Sequence, residues 1–203
     1  LPIGTDEFAG LIDRFSKDSR FVGLRMRDRP GGDAVFTDAV WRDLAILEEK
    51  GLTLDVLINN FSIDEVTEVA KRLPDLKIMI NHLGGLNISN DPFDEKWKEA
   101  MEKAALHENV YCKVSGIFQR AGVNPTPKNR SFYSPVFKVV FDAFGEDRVV
   151  YGSNWPVSDR GGSYAEQLNI IRGYFNPPVM RLKDSIKGEL IAKKLFRENA
   201  IRF

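Results

Sequence analysis

Leu73-Pro-Asp-Leu-Lys-Ile-Met-Ile-Asn-His-Leu-Gly84 is the stretch on which the fold turns. Its centre, residues 76–80, is an apolar run of strand length rich in β-branched side chains, and it passes without a break into the polar pair Asn81-His82. The same pattern recurs on both sides. Phe21-Val-Gly-Leu-Arg-Met26 and Leu52-Thr-Leu-Asp-Val-Leu-Ile58 precede it, and Val110-Tyr-Cys-Lys-Val114 and Val149-Val-Tyr-Gly152 follow. Between these runs lie amphipathic segments with helical spacing, over residues 6–17, 37–50, 62–73, 94–107 and 134–144, with two more expected over 163–174 and 188–199. Within 37–50, Val40, Leu44 and Leu47 share a face; Thr37, Ser62 and Asp94 are placed as N-caps, and Gly51 as a C-terminal glycine. Strands alternating with helices of this length predict βαβ units and hence a parallel sheet, either a TIM barrel or a doubly wound sheet.

Composition narrows the function classes. In 203 residues, 29 basic side chains balance 29 acidic ones, so no global field favours nucleic acid or an anionic membrane surface. The single cysteine, Cys112, has no second thiol to pair with, which excludes a disulfide framework and fits a reducing, cytoplasmic compartment. No run approaches the length of a membrane span, and the first residues lack the basic and apolar regions of a secretory signal. Neither a Gly-x-Gly-x-x-Gly turn nor a Walker loop follows any strand, so nucleotide binding there has no support. Three Asn-x-Ser triplets begin at Asn60, Asn87 and Asn129 and mean little without a secretory context. No repeat, low-complexity run or linker interrupts residues 1–203, which read as one domain whose partner is a small molecule.

In parallel α/β folds the site lies at the carboxyl ends of the strands, and each apolar run here ends in polar chemistry. The first carries Arg25 and Arg27, which alternate and whose guanidinium forks match a carboxylate in bidentate geometry or bond loop carbonyls. The second runs into Asn59-Asn60, the third into Asn81-His82, the fourth into Lys113-Val-Ser115-Gly, and the fifth into Gly152-Ser-Asn-Trp-Pro156. His82 reads either as a satisfied histidine under a loop or as a donor to a carbonyl on which charge develops. Lys113, on one face with Ser115, is costly in an interior unless it meets an acid or faces a ligand. Asn154 reads as a turn residue before Trp155-Pro. His107, in Ala-Ala-Leu-His-Glu108, suits the negative pole of a helix and reads as structural.

Taken together, Phe21-Val-Gly-Leu-Arg25, the stretch ending at Gly84, Asn109-Val-Tyr-Cys-Lys-Val-Ser-Gly116, Phe144-Gly-Glu-Asp-Arg-Val-Val-Tyr-Gly-Ser-Asn-Trp-Pro-Val157 and Glu198-Asn-Ala-Ile-Arg-Phe203 resemble the amidohydrolase-2 family, in order and over almost the whole chain. That family includes sugar-lactone and pyrone-dicarboxylate lactonases. The resemblance implies a (β/α)8 TIM barrel of the α/β class, here incomplete, lacking about the first two βα units. Upstream chain or a partner, as in a homo-oligomer, would then complete it. It implies a hydrolase opening a lactone or similar cyclic ester of a small acidic sugar- or aromatic-derived substrate. His82 and the position of Asn154 would be catalytic, with Arg25, Arg27, Asn59, Lys113, Ser115 and Trp155 binding substrate. Two departures stand out. The family's first-strand His-x-His is absent, and its Gly-Ser-Asp-Trp-Pro reads Gly-Ser-Asn-Trp-Pro here, with an amide where the family has a water-activating aspartate. Zinc or another divalent metal is expected only in a complete chain, at the positions of His82 and Asn154. A catalytically silent ligand binder and a decarboxylase of the same family are the alternative readings.

Overall fold

The computed structural model of the chain describes residues 1–27, 36–58, 62–89, 94–175 and 182–203. They fall into two compact units, residues 1–80 with 103–111 and residues 81–102 with 112–203.

The first unit alternates α1 (Phe8–Phe15), β1 (Gly23–Met26), α2 (Asp38–Glu49), β2 (Thr53–Val56), α3 (Ile63–Arg72) and β3 (Ile78–Ile80). All pairing is parallel, with Gly23 opposite Thr53 and Leu54 opposite Ile78. Gly23 is required by that register, because a Cβ there would stand 2.2 Å from the Thr53 carbonyl oxygen. As the spacing predicts, α2 buries Val40, Leu44 and Leu47 and is capped by Thr37, whose hydroxyl accepts from the Val40 N–H. Gly51 follows at φ +63°, the left-handed conformation that ends the helix. A reciprocal capping box of Ser62 and Glu65 opens α3.

Asn109 closes this unit. Its amide donates to the carbonyls of Leu73 and Leu76, both at 2.9 Å, while its own carbonyl accepts from the Ile78 N–H at 2.8 Å. It thereby satisfies carbonyls beyond the end of α3 and sets the entry to β3. Asn109→Ala is expected to lower unfolding free energy by about 1–3 kcal/mol, the usual consequence of orphaning partly buried polar groups. Urea unfolding with an unchanged slope checks this.

Along the chain, α4 (Glu95–Ala105) and β4 (Val110–Ser115) each begin in one unit and end in the other. The remainder of the second unit is α5 (Arg130–Phe144), β5 (Val149–Gly152), α6 (Tyr164–Phe175), α7 (Leu182–Lys193), a π turn at Lys194–Glu198 and α8 (Asn199–Arg202). β4 and β5 are parallel, with Lys113 opposite Val150 and Ser115 opposite Gly152. Asp94 caps α4 by accepting from the Trp97 N–H at 3.0 Å, as its position predicts. The closing Glu198-Asn-Ala-Ile-Arg-Phe has a structural role: the fully buried Asn199 amide donates to the carbonyls of Glu146 and Val149, both at 2.8 Å, and fixes α8 to the start of β5.

Two boundaries differ from the spacing. α5 starts at Arg130, four residues earlier than expected, because Asn129 accepts from the Phe132 N–H at 3.0 Å and opens an extra turn ahead of Pro135. α7 starts at Leu182, with Gly188 inside it rather than at its head. Cys112 is wholly buried in β4, and burial holds its thiol far above the ordinary range, which removes it from any nucleophilic role. Among the described residues, no helix is long and apolar enough to cross a membrane.

Candidate active site at the strand ends

The site begins with a backbone anomaly. Directly after β3, four successive residues adopt positive φ: His82 at 50°, Leu83 at 57°, Gly84 at 60° and Gly85 at 75°. This is a turn of left-handed helix. Gly84 and Gly85 enter it without strain, but it costs roughly 1–2 kcal/mol at each residue that carries a Cβ. Compensating contacts surround it. Leu83 is fully buried, its carbonyl accepts from the Trp97 indole N–H at 2.8 Å, and the Gly85 carbonyl accepts from the Arg120 guanidinium at 3.1 Å. Strain held this way beside polar side chains is typical of functional positions. Its effect is to turn the His82 ring so that Nδ1 lies 2.7 Å from the Ser115 hydroxyl oxygen.

Ser115 is the last residue of β4 and only 1 % exposed. Lys113 lies two residues before it on the same strand face, and its ammonium donates to the Oδ1 of the fully buried Asn81 at 2.7 Å. The opposing strand leaves room for both. A Cβ on Gly152 would stand 3.2 Å from the Ser115 Cβ and 3.4 Å from the Lys113 Cδ, so glycine there admits the two side chains.

Asn154 approaches from β5. It is itself left-handed, at φ 54°, and its Nδ2 lies 3.1 Å from where a Cβ on Gly116 would be. Gly116, at φ +64°, therefore meets both a conformational and a steric demand for glycine. The Asn154 amide donates to the side-chain oxygen of Gln119. His82 and Asn154 are thus both seated on the two-residue segment Ser115-Gly116. Trp155 is 67 % exposed, with its N–H on the Ser153 hydroxyl.

Arg25 forms a cross-strand ion pair with Asp55 at 3.1 Å, in register on β2, so its guanidinium already meets a carboxylate of the protein. Arg27 lies just past the end of β1 and is exposed. Asn59 lies outside the described residues, as does Asn60. Sequence reasoning missed Gln119 and Arg120, which sit in the turn after β4 where no strand-end position points to them. It read Asn81 only as the polar close of a run. His107 accepts from the Val110 N–H through its carbonyl at 3.1 Å, within the turn after α4, in keeping with its structural reading.

The local donor set does not fit a divalent cation. Asn154 offers a neutral amide, His82 Nδ1 is engaged by Ser115, and the Lys113 ammonium lies against the Asn81 oxygen. Among the described residues no group of three histidine, cysteine or carboxylate side chains is placed to hold a metal ion.

Residues 5–203 match the Amidohydrolase family, Amidohydro_2. An L-fucono-1,5-lactonase of Burkholderia ambifaria is 29 % identical over 157 residues, 76 % of this chain and 53 % of that protein. An L-rhamnono-gamma-lactonase of Scheffersomyces stipitis is 36 % identical over 105 residues, 46 % of this chain and 31 % of that protein. The chain spans about half the length, or less, of these curated relatives. An amidohydrolase of Burkholderia multivorans with bound HEPES superposes at TM-score 0.80 with 20 % identity, covering 98 % of this chain and 70 % of that one. A second crystal form of that amidohydrolase contains zinc and superposes at 0.78 with 21 % identity, covering 98 % and 69 %. At this identity the likeness concerns the fold, which is the parallel α/β fold of the amidohydrolases, of which this chain covers a part.

Proposed function

The chain belongs to the amidohydrolase family, and from that premise we propose that its strand-end site opens a lactone of a small acidic sugar- or aromatic-derived acid. We read residues 1–203 as the C-terminal two-thirds of one barrel domain of a cytoplasmic hydrolase acting on a small molecule. The observation that carries the reading is the convergence of His82 and Asn154 on Ser115-Gly116, since ring opening by water needs a donor for the carbonyl oxygen and a group beside the attacking water. His82 takes the first role. Lys113 supplies a positive charge next to the buried Asn81 amide, where a substrate carboxylate or ring oxygen would be held.

Asn154 holds the second position but limits the rate. Its amide orients water by accepting or donating a hydrogen bond, yet it cannot take water's proton. The expected behaviour of the chain is therefore binding and carbonyl polarisation with slow turnover. The test is to follow ring opening of a panel of sugar lactones and pyrone acids while measuring binding of the same compounds. Slow, saturable opening of one member supports the lactonase reading. Tight binding of an acid with no opening, in this chain and in a form carrying a carboxylate at this position, favours the second reading that Asn154 itself suggests, a catalytically silent ligand binder.

A further inference from the structure

Ser115 carries a hydroxyl with one place to send its proton. It is 1 % exposed, beyond the reach of bulk water, and among the described residues its Oγ is bonded only to His82 Nδ1, at 2.7 Å. Two arrangements fit that distance. In the first, Nδ1–H donates to Oγ, and the serine proton is then left buried without an acceptor, which costs about 1–3 kcal/mol. In the second, the serine O–H donates to a bare Nδ1, and nothing is orphaned. The serine Cβ faces Gly152 on the neighbouring strand, at a place where an added Cβ would stand 3.2 Å away. The ring in turn is carried by the left-handed turn after β3.

We propose that Ser115 is a positioning residue that holds neutral His82 in the Nε2–H tautomer. Resting on the lactonase reading, this makes the imidazole a hydrogen-bond donor to the substrate carbonyl oxygen and removes it as a base toward water. The role of accepting water's proton then falls wholly to position 154. Ser115 itself does not touch the reacting atoms; its hydroxyl acts through the ring.

Nitrogen-15 NMR of the whole chain tests the tautomer directly, and the chain has only two histidines, so His107→Asn assigns the signals. Above neutral pH the His82 Nδ1 is expected at a pyridine-type shift moved by a hydrogen bond, and Nε2 at a pyrrole-type shift. In Ser115→Ala the Nδ1 signal is expected to move to that of an unbonded pyridine-type nitrogen, with tautomer exchange appearing, while Ser115→Thr keeps the parent pattern. A protonated Nδ1 in the parent chain, or an Nδ1 signal unmoved by Ser115→Ala, overturns the proposal. The parent spectrum decides even if the alanine variant fails to fold. For activity, Ser115→Ala combined with Asn154→Asp is expected to lower kcat about 10- to 100-fold with little change in KM, and threonine to restore it, as with other groups that orient a histidine. Loss of ring opening in every form with the Nε2–H pattern intact removes the lactonase reading and leaves the tautomer assignment standing.

Discussion

Asn154→Asp is expected to raise lactone ring opening by about 10²- to 10⁴-fold, the usual range for general-base assistance, because an amide supplies almost none of it. The replacement is close to isosteric and keeps a residue type that tolerates the left-handed φ of 54° found there. Gly116 already leaves room for the side chain, and no backbone adjustment is needed. Only Gln119 must respond. Its side-chain oxygen now accepts from the Asn154 amide, and against a carboxylate it has to rotate so that its own amide donates instead. Gln119 is exposed, so that rotation is unhindered. The pH dependence has a definite sign: the rate falls toward acid as the carboxylate is protonated, and the parent chain lacks that limb. Initial rates on the best member of the lactone panel, compared from acid to mildly basic pH, check both parts. A gain below tenfold, or a gain with no acid limb, removes position 154 from the role of base.

His82→Asn is expected to lower kcat by about 10²- to 10³-fold in the Asn154→Asp background, the range seen when one preorganised donor to a developing oxyanion is lost. Asparagine is the informative replacement because His82 sits at φ 50°, and asparagine populates that region more readily than most residues. The left-handed turn and its support from Trp97 and Arg120 should persist. The shorter amide no longer extends to where the ring reached, and the Ser115 hydroxyl loses its acceptor. Some destabilisation follows, about 1–3 kcal/mol from the orphaned hydroxyl, and urea unfolding measures it separately from the rate. A variant that unfolds normally and retains full kcat would show that His82 does not touch the carbonyl. A variant in which KM alone rises would place His82 in ground-state binding.

Local sequence was enough for most of the architecture. The five apolar runs became the five strands, and Thr37, Ser62 and Asp94 cap the helices they precede, because burial period and cap chemistry are written within a few neighbouring residues. The early start of α5 escaped because an Asn-x-Ser triplet conceals what Asn129 does; its capping role depends on the turn that leads into it. Candidate chemistry was legible too, since in a parallel fold the carboxyl ends of the strands form the functional end: His82 and Asn154 follow β3 and β5, Ser115 closes β4, and Lys113 lies two residues before it on the same strand face.

Partnership was not legible, and only the tertiary structure decided it. Nothing in His-Leu-Gly-Gly announces a left-handed turn, because two of its four residues pay to enter it and the compensation comes from Trp97 and Arg120, distant in sequence. The chain order does not show that strand register sets Asp55 opposite the Arg25 guanidinium. Nor does spacing along the chain show that the backbone after β3 brings the His82 ring onto the Ser115 hydroxyl. Residue types and their spacing along the chain determine which groups reach the end of the sheet. Which of them bond to one another depends on register and φ, and these are set by packing across thirty or more residues.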